Sequence, residues 1–128
     1  MKIRIALAQV NPTVGDLDGN VRIVRRMVGA AKKAGAQIVA FPELMLSGYP
    51  PEDLLLKPQF LKDCTRALRA VAREAKGIVI LVGAPEPPSR EGERPHNACH
   101  VLAGGAVAAT YRKINQIVRE SCMESVYL

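Results

Sequence analysis

Aromatic side chains make up only 4% of this 128-residue chain, and that scarcity bears on its partners. Proteins that track single-stranded nucleic acid stack bases on aromatic rings set in a basic groove; no such platform is evident here. Long apolar runs are lacking too, since none approaches the roughly 20 residues a helix needs to cross a bilayer. The opening segment Met1-Lys2-Ile3-Arg4-Ile5-Ala6-Leu7 carries no signal-peptide cleavage pattern. A cytoplasmic location and no membrane partner are expected. Cysteine is sparse and odd in number: Cys64, Cys99 and Cys122 stand far apart with no CxxC pair. That spacing argues against a disulfide framework or a zinc site, and no metal is expected. Neither an internal repeat nor a low-complexity tract interrupts the chain.

What is present suits one soluble domain with a modest core, at 48% hydrophobic residues. The net charge of +6 invites a nucleic-acid reading, because phosphate binding needs clustered Lys and Arg. The basic residues instead punctuate two helical patterns, Arg22, Arg25, Arg26, Lys32 and Lys33 in one, Arg66, Arg69 and Arg73 in the other. Periodic charge opposite an apolar face is a solvated helix surface. No nucleic-acid partner is expected.

Residues 3–10 are mostly apolar and predict a buried strand, broken by Asn11-Pro12-Thr13. Asp16, Asp18 and Asn20 offer helix-start signals. From Val21, the positions Ile23, Val24, Met27, Val28, Ala31 and Ala34 recur at helical spacing until Gly35. A second strand over 37–41 is cut by Pro42, and a loop through Gly48 and Pro50-Pro51 leads to one short helical turn at 52–56. A longer helix follows Pro58, with Phe60, Leu61, Cys64, Leu68, Val71, Ala72 and Ala75 on one face and Gly77 at its end. Ile78–Val82 reads as a central strand, and the segment from Pro85 to Pro95, rich in proline and charge, as a surface loop. Residues 96–103 and 106–113 flank Gly104-Gly105 and predict a hairpin. The order β-α-β-α-β-β implies an α/β layer with helices on one side.

Two ionisable groups fall at strand ends. Glu43 follows the second strand in Phe-Pro-Glu-Leu-Met-Leu-Ser-Gly-Tyr-Pro-Pro-Glu-Asp (41–53), and Lys113 closes the hairpin in Tyr-Arg-Lys (111–113). Taken alone, Glu43 is an ordinary loop acid and Lys113 an edge-strand lysine that discourages aggregation. Glu52 and Asp53 belong to the loop and its turn. In context the pairing resembles the carbon–nitrogen hydrolase (nitrilase) superfamily. The string through Leu56 is similar to the glutaminase domains of the glutamine-dependent NAD synthetase family. Ala8-Gln9-Val10-Asn11, Val14-Gly15-Asp16-Leu17, Gly19-Asn20, Leu81-Val82-Gly83-Ala84-Pro85 and Asn97-Ala98 fit the same pattern in order and spacing.

The resemblance implies the N-terminal half of a four-layer αββα sandwich, which in most members pairs through a helical face, so a homo-oligomer is implied for the complete domain. Half a sandwich leaves sheet faces and edges uncovered, and poor stability with a tendency to associate is expected. Glu43 is implied as general base and Lys113 as the oxyanion partner of a Cys nucleophile that hydrolyses L-glutamine. ATP and Mg are implied only for a separate synthetase domain that amidates deamido-NAD; no cofactor is expected on this chain. A stand-alone amidase, or a non-catalytic module pairing with an intact homologue, stays open beside this reading.

The nucleophile has no counterpart in the pattern. Cys64 lies on an apolar helix face and reads as core. Cys99 lies in a hairpin strand near His96 and His100, where a Cys/His metal or catalytic cluster is conceivable although side chains alternate along a strand. Cys122 follows Lys113 too closely, is followed by Met123-Glu124, and is rejected. The resemblance therefore covers a partial glutaminase domain over 1–113, followed by a divergent tail over 114–128. There Arg119 stands where the family places a glutamine-contacting Tyr. The abrupt loss of match reads as a frameshift, a splice or a truncated gene. The chain by itself is expected to be inactive.

Overall fold

The computed structural model describes residues 1–114. One five-stranded sheet has the order β1 (Ile5–Leu7), β2 (Ile38–Ala40), β3 (Val79–Glu86), β4 (His96–Ala103) and β5 (Ala106–Arg112). The first three strands run parallel, and β3, β4 and β5 are antiparallel. Helices α1 (Leu17–Lys33) and α2 (Pro58–Ala72) make the two parallel crossovers. Both contribute to one core beneath the sheet, where Val24, Val28, Val71, Ile80, Val82 and Leu102 are buried. The α/β layer expected from the element order is present, with both helices packed into that core. Among the described residues no helix is long and apolar enough to cross a membrane.

The differences from the expected elements have local causes. Helix α1 starts at Leu17, a turn ahead of the apolar repeat. The Asp16 carboxylate accepts the Gly19 N–H at 3.0 Å and caps it. Asn20 is no cap at all. Fully buried, it donates to the carbonyls of Thr13 (2.8 Å) and Leu46 (2.9 Å) and accepts the Thr13 N–H at 2.9 Å. It thereby ties the chain before α1 to the loop after β2.

Strand β1 covers three residues of the expected eight-residue run, because its ladder with β2 spans Ile5↔Ile38 to Leu7↔Ala40, and Pro42 follows close behind β2. Strand β3 runs on through Pro85 to Glu86, into the expected loop. Beyond Leu81 it has no strand partner on the β2 side, so a proline without an N–H breaks no ladder there. The hairpin turns at Gly104 and Gly105, both at positive φ (61° and 82°), the backbone a tight two-residue turn requires. The tail expected over 114–128, Arg119 and Cys122 included, lies outside the described residues from 115 onward.

The second face of the sheet is different. Alternation turns Ala6 toward the core but leaves Ile5 (55% exposed) and Leu7 (75%) on the other side. Tyr111, opposite Cys99, is 64% exposed. Among the described residues this face is apolar and uncovered.

Candidate active site

Glu43 is delivered to the open face by a forced backbone path. Strand β2 ends at Ala40, the Phe41 N–H donates to Leu81 O at 2.9 Å, and the chain then crosses over β3 at Gly83. A Cβ at Gly83 would lie 2.4 Å from Leu44 N and 3.0 Å from Pro42 O, so only glycine admits the crossing. Leu44, fully buried, holds φ at +51°, an unusual conformation for a bulky residue that its surroundings must enforce. Those surroundings are visible. Leu46 N–H donates to Gly83 O at 3.2 Å, Gly15 N–H to Ser47 O at 2.9 Å, and Asn20 holds Leu46 O. Gly48 packs against Val14, where a Cβ would approach the Val14 Cα to 2.6 Å.

Lys113 arrives from the far end of the sheet. The Arg112 guanidinium donates twice to Glu86, Nε to Oε2 at 2.6 Å and Nη2 to Oε1 at 2.8 Å, clamping the end of β5 to the end of β3. The Lys113 N–H donates to Asn97 O at 2.8 Å. With its backbone fixed, the Lys113 ammonium donates to Glu43 Oε1 at 2.8 Å. Asn97, nearly buried, donates from Nδ2 to the same oxygen at 2.6 Å. Partial burial pushes the Glu43 carboxyl up. The hydrogen bonds from Lys113 and Asn97 and the Lys113 charge outweigh it and hold the group below its ordinary value. At neutral pH the site is a carboxylate–ammonium pair, each side chain about half exposed, on the rim of an open cavity of about 290 Å³.

Cys99 lines that cavity together with Glu43, Asn97, Tyr111 and Lys113. Burial raises its thiol above the ordinary value, and among the described residues it has no hydrogen bond to Glu43 or Lys113. Nothing there makes it a thiolate. The conceivable Cys/His cluster does not assemble around it. His96 and His100 alternate to the other side of β4, and buried His100 meets Thr110 Oγ1 through Nδ1 at 3.0 Å. No group of three or more metal-ligating side chains forms among the described residues. Cys64 is fully buried, and burial, with the Asp63 charge adding to it, pushes its thiol up to about 12.

The structure thus brings Glu43 and Lys113 together, two groups set 70 positions apart. Sequence reasoning gave no role to Asn97, Gly83 or Arg112, and read Asn20 as a helix-start signal. The signal was there in the motif strings that contain them, but the strings do not say which neighbour is a ligand. Chemically the arrangement offers a proton acceptor beside a fixed cation, on the rim of an open cavity. Among the described residues it offers no activated nucleophile.

Residues 4–127 match the carbon-nitrogen hydrolase family. The glutamine-dependent NAD(+) synthetase of Xanthomonas campestris is 46% identical over 112 residues, covering 87% of this chain and 20% of that protein. The glutamine-dependent NAD+ synthetase of Acinetobacter baumannii, solved in complex with ADP, superposes with a TM-score of 0.86 at 33% identity. That match covers 98% of this chain and 23% of the solved one. An amidase from Nesterenkonia sp. shares the fold, with a TM-score of 0.79 at 24% identity over 98% of this chain and 46% of its own. The chain spans about a fifth of the length of the curated relatives it matches.

Proposed function

The chain belongs to the carbon-nitrogen hydrolase family, and on that premise we propose that it forms the first part of a glutaminase domain that feeds ammonia to an NAD synthetase. Glu43 is the general base and Lys113 the oxyanion partner. The observation that carries this reading is the 2.8 Å contact between Lys113 Nζ and Glu43 Oε1 on the rim of the cavity.

In this reading a cysteine from outside residues 1–114 gives its thiol proton to Glu43, and the thiolate attacks the side-chain amide carbon of L-glutamine. Lys113 stabilises the oxyanion of the tetrahedral intermediate, as a preorganised charge does best where charge develops. Glu43 returns the proton to the departing nitrogen, and ammonia leaves. Water, deprotonated by Glu43, then hydrolyses the thioester to glutamate and free thiol. ATP and Mg belong to the synthetase step on deamido-NAD, and no residue of this chain is assigned to them. Pairing of completed domains through the α1–α2 side is part of the same reading, as is a soluble cytoplasmic setting.

The test is a chimera in which residues 1–113 replace the matching segment of the Xanthomonas campestris enzyme. NAD formation is expected with either glutamine or ammonia as nitrogen donor. Glu43→Gln is expected to abolish the glutamine-dependent reaction and spare the ammonia-dependent one. Retention of glutamine-dependent synthesis in Glu43→Gln would remove the base from Glu43. A second reading, a non-catalytic module docking on an intact homologue, is favoured by the exposed Ile5, Leu7 and Tyr111. Co-purification with a full-length enzyme tests it.

A further inference from the structure

Among the groups around Glu43, Asn97 alone grips both halves of the pair. It sits at the second position of β4 opposite Pro85 and is 7% exposed. Its backbone carbonyl accepts the Lys113 N–H at 2.8 Å, fixing where the lysine leaves the strand. Its side-chain amide reaches across to Glu43 Oε1 at 2.6 Å. The ammonium also contacts Oε1, at 2.8 Å. Two donors therefore converge on one carboxylate oxygen, and among the described residues Oε2 receives none.

The chemistry of an amide suits this task. A lysine on a flexible four-carbon stem can bond either carboxylate oxygen or shift between them, so it fixes the charge without fixing the orientation. An aspartate at 97 would repel the carboxylate, and an arginine would take both oxygens in a fork. Asparagine adds a directed, uncharged donor that does not titrate.

We propose that Asn97 is the positioning residue of this site, holding Oε1 so that Oε2 is the oxygen that exchanges the proton. The orientation stands on the contacts alone; that Oε2 acts as a base rests on the reading of Glu43 given above.

The experiment is a pH titration of the complete chain by NMR, following the Glu43 side-chain carboxyl carbon and the side-chain amide protons of Asn97. In the wild-type chain the Asn97 amide protons are expected to shift with the same midpoint as Glu43. In Asn97→Ala the Glu43 midpoint is expected to move upward, while the Lys113 backbone N–H, still bonded to the carbonyl of residue 97, keeps its shift. An unchanged Glu43 midpoint in folded Asn97→Ala overturns the proposal. So do wild-type amide protons that ignore the Glu43 titration, and this second reading decides the matter alone if the variant does not fold. Neither outcome depends on turnover, so failure here is separate from failure of the chimera.

Discussion

The two faces of the sheet obey the same period-two alternation and end in opposite states. On the helix side, Ile80, Val82 and Leu102 are fully buried against α1 and α2. On the other side, Ile5 and Leu7 are as apolar but more than half exposed, and there the charges of Glu43 and Lys113 are brought together. Burial of apolar area stabilises at about 25 cal/mol per Å², so the helix side holds the layer together while the open side contributes little. The Glu43–Lys113 pair sits on the face that contributes least to the stability of the fold. Among the described residues, no second layer packs against that face.

That contrast can be broken by substitution. Leu102→Ala on the helix side is expected to cost about 2–5 kcal/mol, as buried leucine truncations do. Leu7→Ala on the open side is expected to change stability by about 0.5 kcal/mol or less. Urea unfolding midpoints compare the two directly, and equal losses would mean that the open face is covered in solution. Gly83→Ala should fall between them, at about 1–3 kcal/mol for a methyl group forced into an occupied space. Its added Cβ meets Leu44 N at 2.4 Å. It should also displace Glu43, visible as a Glu43 carboxyl that titrates nearer its ordinary value.

A small effect is also expected of the ion pair itself. Glu43 lies below its ordinary value of 4.5 in the folded chain. Its stabilisation is therefore complete above that value and is lost as the pH falls through the folded-state one. Both partners are about half exposed, so Glu43→Gln should cost less than about 1 kcal/mol at neutral pH. The difference from wild type should shrink on acidification below 4.5. A gap that widens toward acid would place the stabilising form on the protonated side and contradict the pairing.

The helices and the hairpin were legible because their signals are local. Apolar spacing marks α1 and α2, and Gly104-Gly105 marks the turn. Strand lengths were less so: β1 is only as long as β2 lets it be, and β3 continues through Pro85 because no strand pairs with it on the β2 side there. The candidate site was legible only through resemblance. Glu43 and Lys113 follow no periodicity, and their contact depends on a glycine at 83 that clears a path and an arginine clamp at 112. Asn97 was harder still. Its hydrogen bond reaches across 54 positions, and no pattern of hydrophobicity or charge encodes such a partner. Cys99 and His100 look adjacent in sequence and are separated by the thickness of the sheet.

The central proposal is that Glu43 and Lys113 serve as the base and the cation of a glutaminase site whose nucleophile lies outside residues 1–114. Ammonia release from L-glutamine by the purified 128-residue chain tests it most directly. No release above buffer is predicted for the wild type or for Glu43→Gln. Release that disappears in Glu43→Gln would show that the chain holds a working nucleophile after all, and would contradict the account.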